Sequence, residues 1–229
     1  MKRFGSLPVP CVPVSALLVA LVGLALLAPV TEAADIVGRG SVGGSLGGMK
    51  FLSGSDFGNG NVRFIGQAVF KYNFTGHLAG EVESGWGWNA YPGATNDTDT
   101  LATVIPTIFG LEYRWNPTGG RIWPHVGGGG GFYSLGVKDT YRTWAYAKNG
   151  TERLTWTSLG LYGKVGAEYL FPNAVSINLD FLYHTIFSKD TSRFPDKWGN
   201  QNTSFAEFRL GANYYFTLKG YSPAPSKED

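Results

Sequence analysis

Residues 62–74, VRFIGQAVFKYNF, alternate with a period of two. Val62, Phe64, Gly66, Ala68, Phe70, Tyr72 and Phe74 are apolar or small, while Arg63, Gln67, Lys71 and Asn73, with Ile65 and Val69, occupy the positions between. Successive side chains of a strand point to opposite faces, so this segment reads as a strand with one apolar and one mixed polar face. Helical spacing would scatter both sets around a cylinder.

The same period recurs along the chain. Leu78, Val82, Trp86 and Trp88 oppose His77, Glu81 and Glu83 in 77–88, and Leu101, Ile105, Phe109, Leu111, Tyr113 and Trp115 oppose Glu112 and Arg114 in 101–115. Leu159, Leu161, Val165, Tyr169 and Phe171 oppose Tyr162, Lys164 and Glu168 in 157–171. Val175, Ile177, Leu179, Phe181, Tyr183 and Phe187 oppose Asn178, Asp180 and His184 in 175–187. Phe208, Leu210, Tyr214 and Phe216 oppose Glu207, Arg209 and Asn213 in 204–216. Two segments are weaker: 35–51, where Ile36, Val42 and Leu46 face away from Arg39, Ser41 and Ser45, and 121–137, whose five central glycines hide its facing. Together they predict eight strands.

The connections alternate in length. Residues 73–76, 116–120 and 172–173 are tight turns rich in Asn, Pro and Gly, and between them lie longer polar links at 52–61, 89–100, 138–153 and 188–203. Short turns on one side and long links on the other are the arrangement of an outer-membrane barrel. The expected fold is all-β, an eight-stranded antiparallel up-and-down transmembrane β-barrel.

A soluble eight-stranded barrel of lipocalin type would turn the apolar face inward. Eight strands enclose a space just wide enough for side chains or one small ligand. The large residues of the apolar face, with Trp86, Trp88, Trp115 and Trp123 among them, exceed that volume. The aromatics also sort by height. Tyr72, Phe74, Tyr113, Trp115, Trp123, Tyr169, Phe171, Tyr214 and Phe216 sit by the short turns or the tail, and Trp86, Trp88, Tyr133, Tyr183 and Phe187 by the long links. Two aromatic belts around an aliphatic band suit the two lipid–water interfaces. Closure follows, because lipid offers no partner to an open sheet edge.

The start of the chain fits export. Lys2 and Arg3 precede the apolar run 15–30, and Thr31 and Ala33 supply small residues, so a signal peptide 1–33 with cleavage after Ala33 is expected rather than a retained membrane helix. The barrel then occupies 34–216 and a periplasmic tail 217–229. Cys11, the single cysteine, precedes the apolar run and leaves with the signal. Loss of Lys2, Arg3 and Glu32 lowers the net charge from +2 to +1. Such near-neutrality argues against a nucleic-acid partner.

In this register the inward charges are Arg39, Arg63, Lys71, Arg114, Lys164 and Arg209 against Glu81, Glu83, Glu112, Glu168, Asp180 and Glu207, six facing six. Buried charges persist when paired and hydrogen-bonded, so these twelve are expected to form an ion-pair network that plugs the lumen. An ion-selective pore would carry an excess of one sign.

Sharper motifs fail. Gly38, Gly40 and Gly43 spell GxGxxG with no strand–helix unit to follow, and glycines 127–131 lack the Lys-Ser/Thr of a phosphate loop. Asp97 and Asp99 have no closing glutamate for a calcium loop. His77, His125 and His184 lie on separate strands without cysteine, so no metal or other cofactor is expected. His77 beside Glu81 reads as a satisfied interior histidine. His184 has Ser188 nearby, but its inward facing does not suit a lipid-facing catalytic triad, and no enzyme activity is expected. Asn73, Asn96, Asn149 and Asn202 each begin N-x-S/T, a frequent chance match.

IPTIFGLEYRWNP (105–117) followed by RIWPHVGGGGGFYSL (121–135) has a proline in the strand, aromatics before the turn, then Pro, a ring residue and Val-Gly. These words resemble the strand–turn–strand of OmpW-type barrels, with His125 where an aromatic is usual. LGANYYF (210–216) is similar to the closing strand that such proteins present to the barrel-assembly machinery, although thirteen further residues follow Phe216. In architecture 35–216 resembles the small eight-stranded outer-membrane proteins, OmpA, OmpX and OmpW among them. The resemblance implies outer-membrane insertion, with membrane lipid, lipopolysaccharide and the assembly machinery as partners. The charged interior fits a plugged barrel with a structural or surface-interaction role. In that role the long links, with Tyr141, Trp144, Tyr146, Phe194 and Trp198, meet any extracellular ligand. The alternatives are OmpW-like passage of small apolar solutes and, further off, a lipid-modifying enzyme.

Overall fold

The computed structural model describes residues 36–53, 60–91, 100–115, 120–138, 145–149, 151–192 and 199–217. Its elements are β1 (Arg39–Ser53), β2 (Arg63–Asn73), β3 (Leu78–Tyr91), β4 (Thr100–Arg114), β5 (Ile122–Lys138), β6 (Lys148–Asn149), β7 (Glu152–Arg153), β8 (Thr155–Leu170), β9 (Val175–Ile186) and β10 (Thr203–Thr217). Eight of them close into a barrel in the order β1-β10-β9-β8-β5-β4-β3-β2, every neighbouring pair antiparallel. The small β6–β7 hairpin, in the link after β5, was not foreshadowed by the period-two pattern.

Closure runs from Arg39↔Thr217 to Ser53↔Ser204, with one bulge between Phe51 and Ser53. The β3–β4 ladder lapses between Ser84↔Thr107 and Gly87↔Val104, where Pro106 has no N–H to give. At the β8–β9 turn Ala174 takes a left-handed φ of 62°, and its carbonyl accepts the Tyr215 N–H at 2.7 Å.

The orientation of the two faces follows the alternation. Leu46, Phe70, Val82, Phe109, Leu111, Leu161, Phe181 and Phe208 stand exposed on the outside, and Val82, Leu161, Phe181 and Phe208 each lie between two buried neighbours. An apolar outer wall around a polar interior is the inverse of a soluble barrel.

The interior is layered. At the long-link end Met49, Phe51, Ile65, Ile108, Tyr133, Leu135, Leu182 and Phe205 belong to one buried apolar cluster. At the short-turn end Ile36, Trp123, Leu170 and Tyr215 form a second. Ile36 lies ahead of β1, so it folds across that mouth instead of continuing the outer face with Val42 and Leu46. The charged residues occupy strand positions between these caps, as on β10, where Glu207 and Arg209 follow Phe205 and precede Tyr215.

The two belts need correction at Trp123 and Tyr133. Both were expected against lipid, yet both are buried inside the barrel. The period of β5 settles why: Trp123, His125 and Tyr133 share one parity, while Ile122, Val126 and Phe132 stand exposed on the other. Glycines 127–131 had concealed that parity. His77 is also corrected: it is exposed at the β2–β3 turn, with Nδ1 2.9 Å from the Arg114 carbonyl oxygen.

Candidate functional site in the barrel lumen

Seven of the eight barrel strands contribute side chains to the bonded polar network, and β1 adds the buried Ser41 and Ser45. Arg114 lies nearest the short turns. Its Nε donates to Glu112 Oε1 at 2.6 Å, and its Nη1 donates to the Tyr215 hydroxyl at 3.1 Å and lies 3.4 Å from Glu168 Oε2. The Tyr215 hydroxyl in turn donates to Glu168 Oε1 at 2.7 Å, and Ser176 donates to the same carboxylate.

Lys71 and Lys164 occupy the centre. Lys71 Nζ is 2.9 Å and Lys164 Nζ 2.5 Å from the same Glu112 Oε2. Lys164 also donates to Glu81, whose other oxygen accepts the Tyr162 hydroxyl at 2.7 Å. Towards the long-link end, Arg209 grips Glu83 with two nitrogens, at 2.6 and 2.8 Å, and donates to Gln67. Gln67 Nε2 reaches both Glu207 oxygens at 3.3 Å.

Two histidines complete the layer. His125 Nε2 is 2.7 Å from Asp180 Oδ1, which also has Arg209 Nε 3.5 Å from its second oxygen. His184 Nε2 is 2.9 Å from Glu207 Oε1, and its Nδ1 is 2.9 Å from the Tyr133 hydroxyl. The His184 ring stacks on Phe205 with centroids 4.1 Å apart and planes 5° from parallel.

Ten of the twelve charges expected in the lumen are thus buried and joined: Lys71, Glu81, Glu83, Glu112, Arg114, Lys164, Glu168, Asp180, Glu207 and Arg209. Arg39 and Arg63 are not. Arg39 is half-buried at the short-turn mouth, where Asn73 binds its carbonyl, and Arg63 is exposed at the start of β2. Alternation gives the direction of a side chain but not its height. Arg63 pairs across the ladder with Met49 of the apolar cap, at the exposed start of β2, so its head turns to water. Four cations therefore face six carboxylates. His125 and His184 stand at the two acids, Asp180 and Glu207, where further nitrogen donors are wanted.

Glycine makes the room. A Cβ at Gly110 would sit 2.0 Å from the Tyr162 hydroxyl, one at Gly47 2.8 Å from the Arg209 Cβ, and one at Gly85 2.4 Å from the Gln67 Cγ. Each of these three glycines leaves a recess beside a large polar neighbour. Sequence reading missed Gln67, Tyr133, Tyr162, His125 and Tyr215 as members of the network. Inward glycines beside large inward polar residues were the signal available.

The whole layer is closed off by the two apolar caps, and its side chains are committed to one another. Among the described residues no cluster of His, Cys, Asp or Glu is arranged to hold a metal ion.

A closed eight-stranded barrel with an apolar wall and a polar interior defines an integral outer-membrane β-barrel protein. The chain matches the model of the outer membrane protein beta-barrel domain over residues 16–216, and it belongs to that family. It resides in the outer membrane. No curated protein matches it significantly in sequence. Among solved structures it is similar to Neisserial surface protein A, at 17% identity and a TM-score of 0.56, over 78% of this chain and 99% of that one. OprG of Pseudomonas aeruginosa matches at 16% identity and a TM-score of 0.54, over 82% and 100%. Ail of Yersinia pestis, solved in complex with the heparin analogue sucrose octasulfate, matches at 10% identity and a TM-score of 0.50, over 79% and 99%. At these identities the likeness is one of fold.

Proposed function

We propose that this outer-membrane barrel is non-conducting and serves a structural or surface-interaction role, with the lumen ion-pair network as its internal scaffold. The observation that carries the reading is the filled cross-section. Ten joined charges, two histidines and their hydroxyl and amide partners lie buried between two apolar caps. Passage of even a small apolar solute along the axis would have to break several charge-assisted bonds at once, each worth more than a neutral one. Eight strands leave no spare width beside such a plug.

What remains available to the outside is the long-link surface. Tyr146 is the one aromatic of the five link aromatics that falls within the described residues. It lies under the Lys138 ammonium, 4.3 Å from its ring centre, and against Gly136, so it packs on the barrel wall. Tyr141, Trp144, Phe194 and Trp198 fall outside the described residues. A non-enzymatic role agrees with lumen acids and bases that are bonded to one another.

Purified protein in planar bilayers tests the reading. No discrete openings are expected from the wild type. Single-channel steps that disappear when the inward Ser158 is changed to Trp would overturn the plug.

A further inference from the structure

Among the described residues, the polar layer is short of permanent positive charge. Lys71, Arg114, Lys164 and Arg209 face Glu81, Glu83, Glu112, Glu168, Asp180 and Glu207, while Arg39 and Arg63 stand at the mouths and Arg121 precedes β5 at the short-turn end. Apolar caps and a lipid-facing wall enclose the layer, so uncompensated negative charge inside it is costly. His125 and His184 are the remaining bases of the layer, and they lie on Asp180 and Glu207. Both of these acids share Arg209, at 3.5 and 3.8 Å, and that guanidinium sits closer to Glu83, at 2.6 Å.

The surroundings of each ring suit a cation. His125 Nε2 is 2.7 Å from Asp180 on β9 and 3.9 Å from Glu112 on β4. Arg114 lies in register with His125 on β4, but its Nε and Nη1 are turned to Glu112, Tyr215 and Glu168. On β8 the register partner is Gly166, with Lys164 and Glu168 at the inward positions to either side, and Lys164 is held by Glu81 and Glu112. His184 Nε2 is 2.9 Å from Glu207 on β10, and its Nδ1 is 2.9 Å from the Tyr133 hydroxyl on β5, whose oxygen can accept. The His184 ring stacks on Phe205 of β10 and on Tyr162 of β8, the strands on either side, and aromatic faces attract a cation.

We propose that His125 and His184 enter the closed lumen as imidazolium ions, the counter-ions of Asp180 and Glu207, and make the barrel a proton-sensitive device that alkali loosens. Four permanent cations and two imidazolium ions then balance the six carboxylates. An imidazole in the unfolded chain titrates at about 6.5 and is largely neutral at about pH 8. The barrel therefore takes up close to two protons as it forms in mildly alkaline solution. The stabilisation from these protons is complete below the unfolded imidazole value and shrinks as pH rises above it. His184 bonds Tyr133 of the long-link cap on one side and Glu207 of the polar layer on the other, so alkali loosens the join between the two. The device rests on the lumen network and stands whether or not the lumen conducts.

Urea unfolding of the full chain in neutral phosphatidylcholine vesicles, followed by tryptophan fluorescence, counts the protons. Each proton kept by the folded chain and lost by the unfolded one multiplies the unfolding constant about tenfold per pH unit. Between about pH 7.5 and about pH 8.5 the wild-type constant should therefore rise about a hundredfold. Glu207→Gln and Asp180→Asn each remove a carboxylate but keep an oxygen for the imidazole, and each should cut the rise to about tenfold. The double variant, whose four cations face four carboxylates, should stay within about threefold. Heat-modifiable migration establishes that each variant is folded. Should a variant fail to fold, wild-type protein with 15N-labelled histidine in nanodiscs gives a second readout. Two of its three imidazoles should carry hydrogen on both ring nitrogens at about pH 7.5. A wild-type rise below about threefold, an equal rise in wild type and double variant, or no imidazolium signal at that pH overturns the proposal.

Discussion

Lys164→Met is the sharpest probe of the lumen. The lysine is buried, with Nζ bonded to Glu81, 2.5 Å from Glu112 and 3.7 Å from Glu83. Its neighbours are not equally dependent on it. Glu112 keeps Lys71 at 2.9 Å and Arg114 at 2.6 Å, and Glu83 keeps Arg209 at 2.6 Å. Glu81 keeps only the Tyr162 hydroxyl at 2.7 Å and Lys71 at 4.0 Å. Methionine fills much of the space of the lysine stem, so the loss is the stranding of one buried carboxylate, about 3–5 kcal/mol. Adding Glu81→Gln removes the stranded charge and leaves an amide oxygen to accept from Tyr162. The double variant should therefore recover about 2 kcal/mol of that loss, within the range of couplings between residues in contact. Urea titration of protein in lipid vesicles, followed by tryptophan fluorescence and by heat-modifiable migration, measures both quantities. Lys164→Met within about 0.5 kcal/mol of wild type, the size of an inconsequential surface change, would falsify the network as a source of stability. So would a double variant less stable than the single one.

Two further contrasts test the packing and the orientation. Gly129→Ala would put a Cβ 2.0 Å from the Phe109 carbonyl oxygen, a backbone atom of the adjoining ladder, and should cost about 1–3 kcal/mol or prevent closure. Gly163→Ala meets nothing within 4 Å and should stay within about 0.5 kcal/mol in the same titration. Phe181→Arg, on the outer wall in the middle of β9, should cost about 2–4 kcal/mol, whereas Tyr214→Arg near the turn end should cost about 0–1 kcal/mol. Similar costs at the two depths would mean that the apolar face does not meet lipid.

Most of the fold was legible because a strand buried on one side repeats every two residues, and a single slip would reverse every side chain. That rule located the eight barrel strands and the inward facing of Lys71, Glu112 and Arg209 without reference to distant partners. It failed where the repeat carried no contrast. Five consecutive glycines in β5 left Trp123 and Tyr133 to be placed by their aromatic character, which suggested a belt, when their parity put them inside with His125. It failed also for properties that depend on height along the axis. Arg39 and Arg63 have inward parity but lie at the mouths, and only the tilt and stagger of the strands show this. Partners across the lumen, such as Gln67 with Glu207 or Tyr162 with Glu81, are separated by 140 and 81 residues, beyond any local pattern.

The last strand brings much of what the first strands need. From β10 come Arg209 for Glu83 and Gln67, Glu207 for His184, and Tyr215 for Arg114 and Glu168. Until β10 docks beside β1, Glu83 on β3 has its main counter-ion missing, and the half-built cylinder holds unanswered charge. Completion of the wall and settling of its contents are therefore one event. An intermediate with an open seam is penalised twice, by bare edge amides and by ionic groups without their mates, so the chain should go from gaping to shut with little in between.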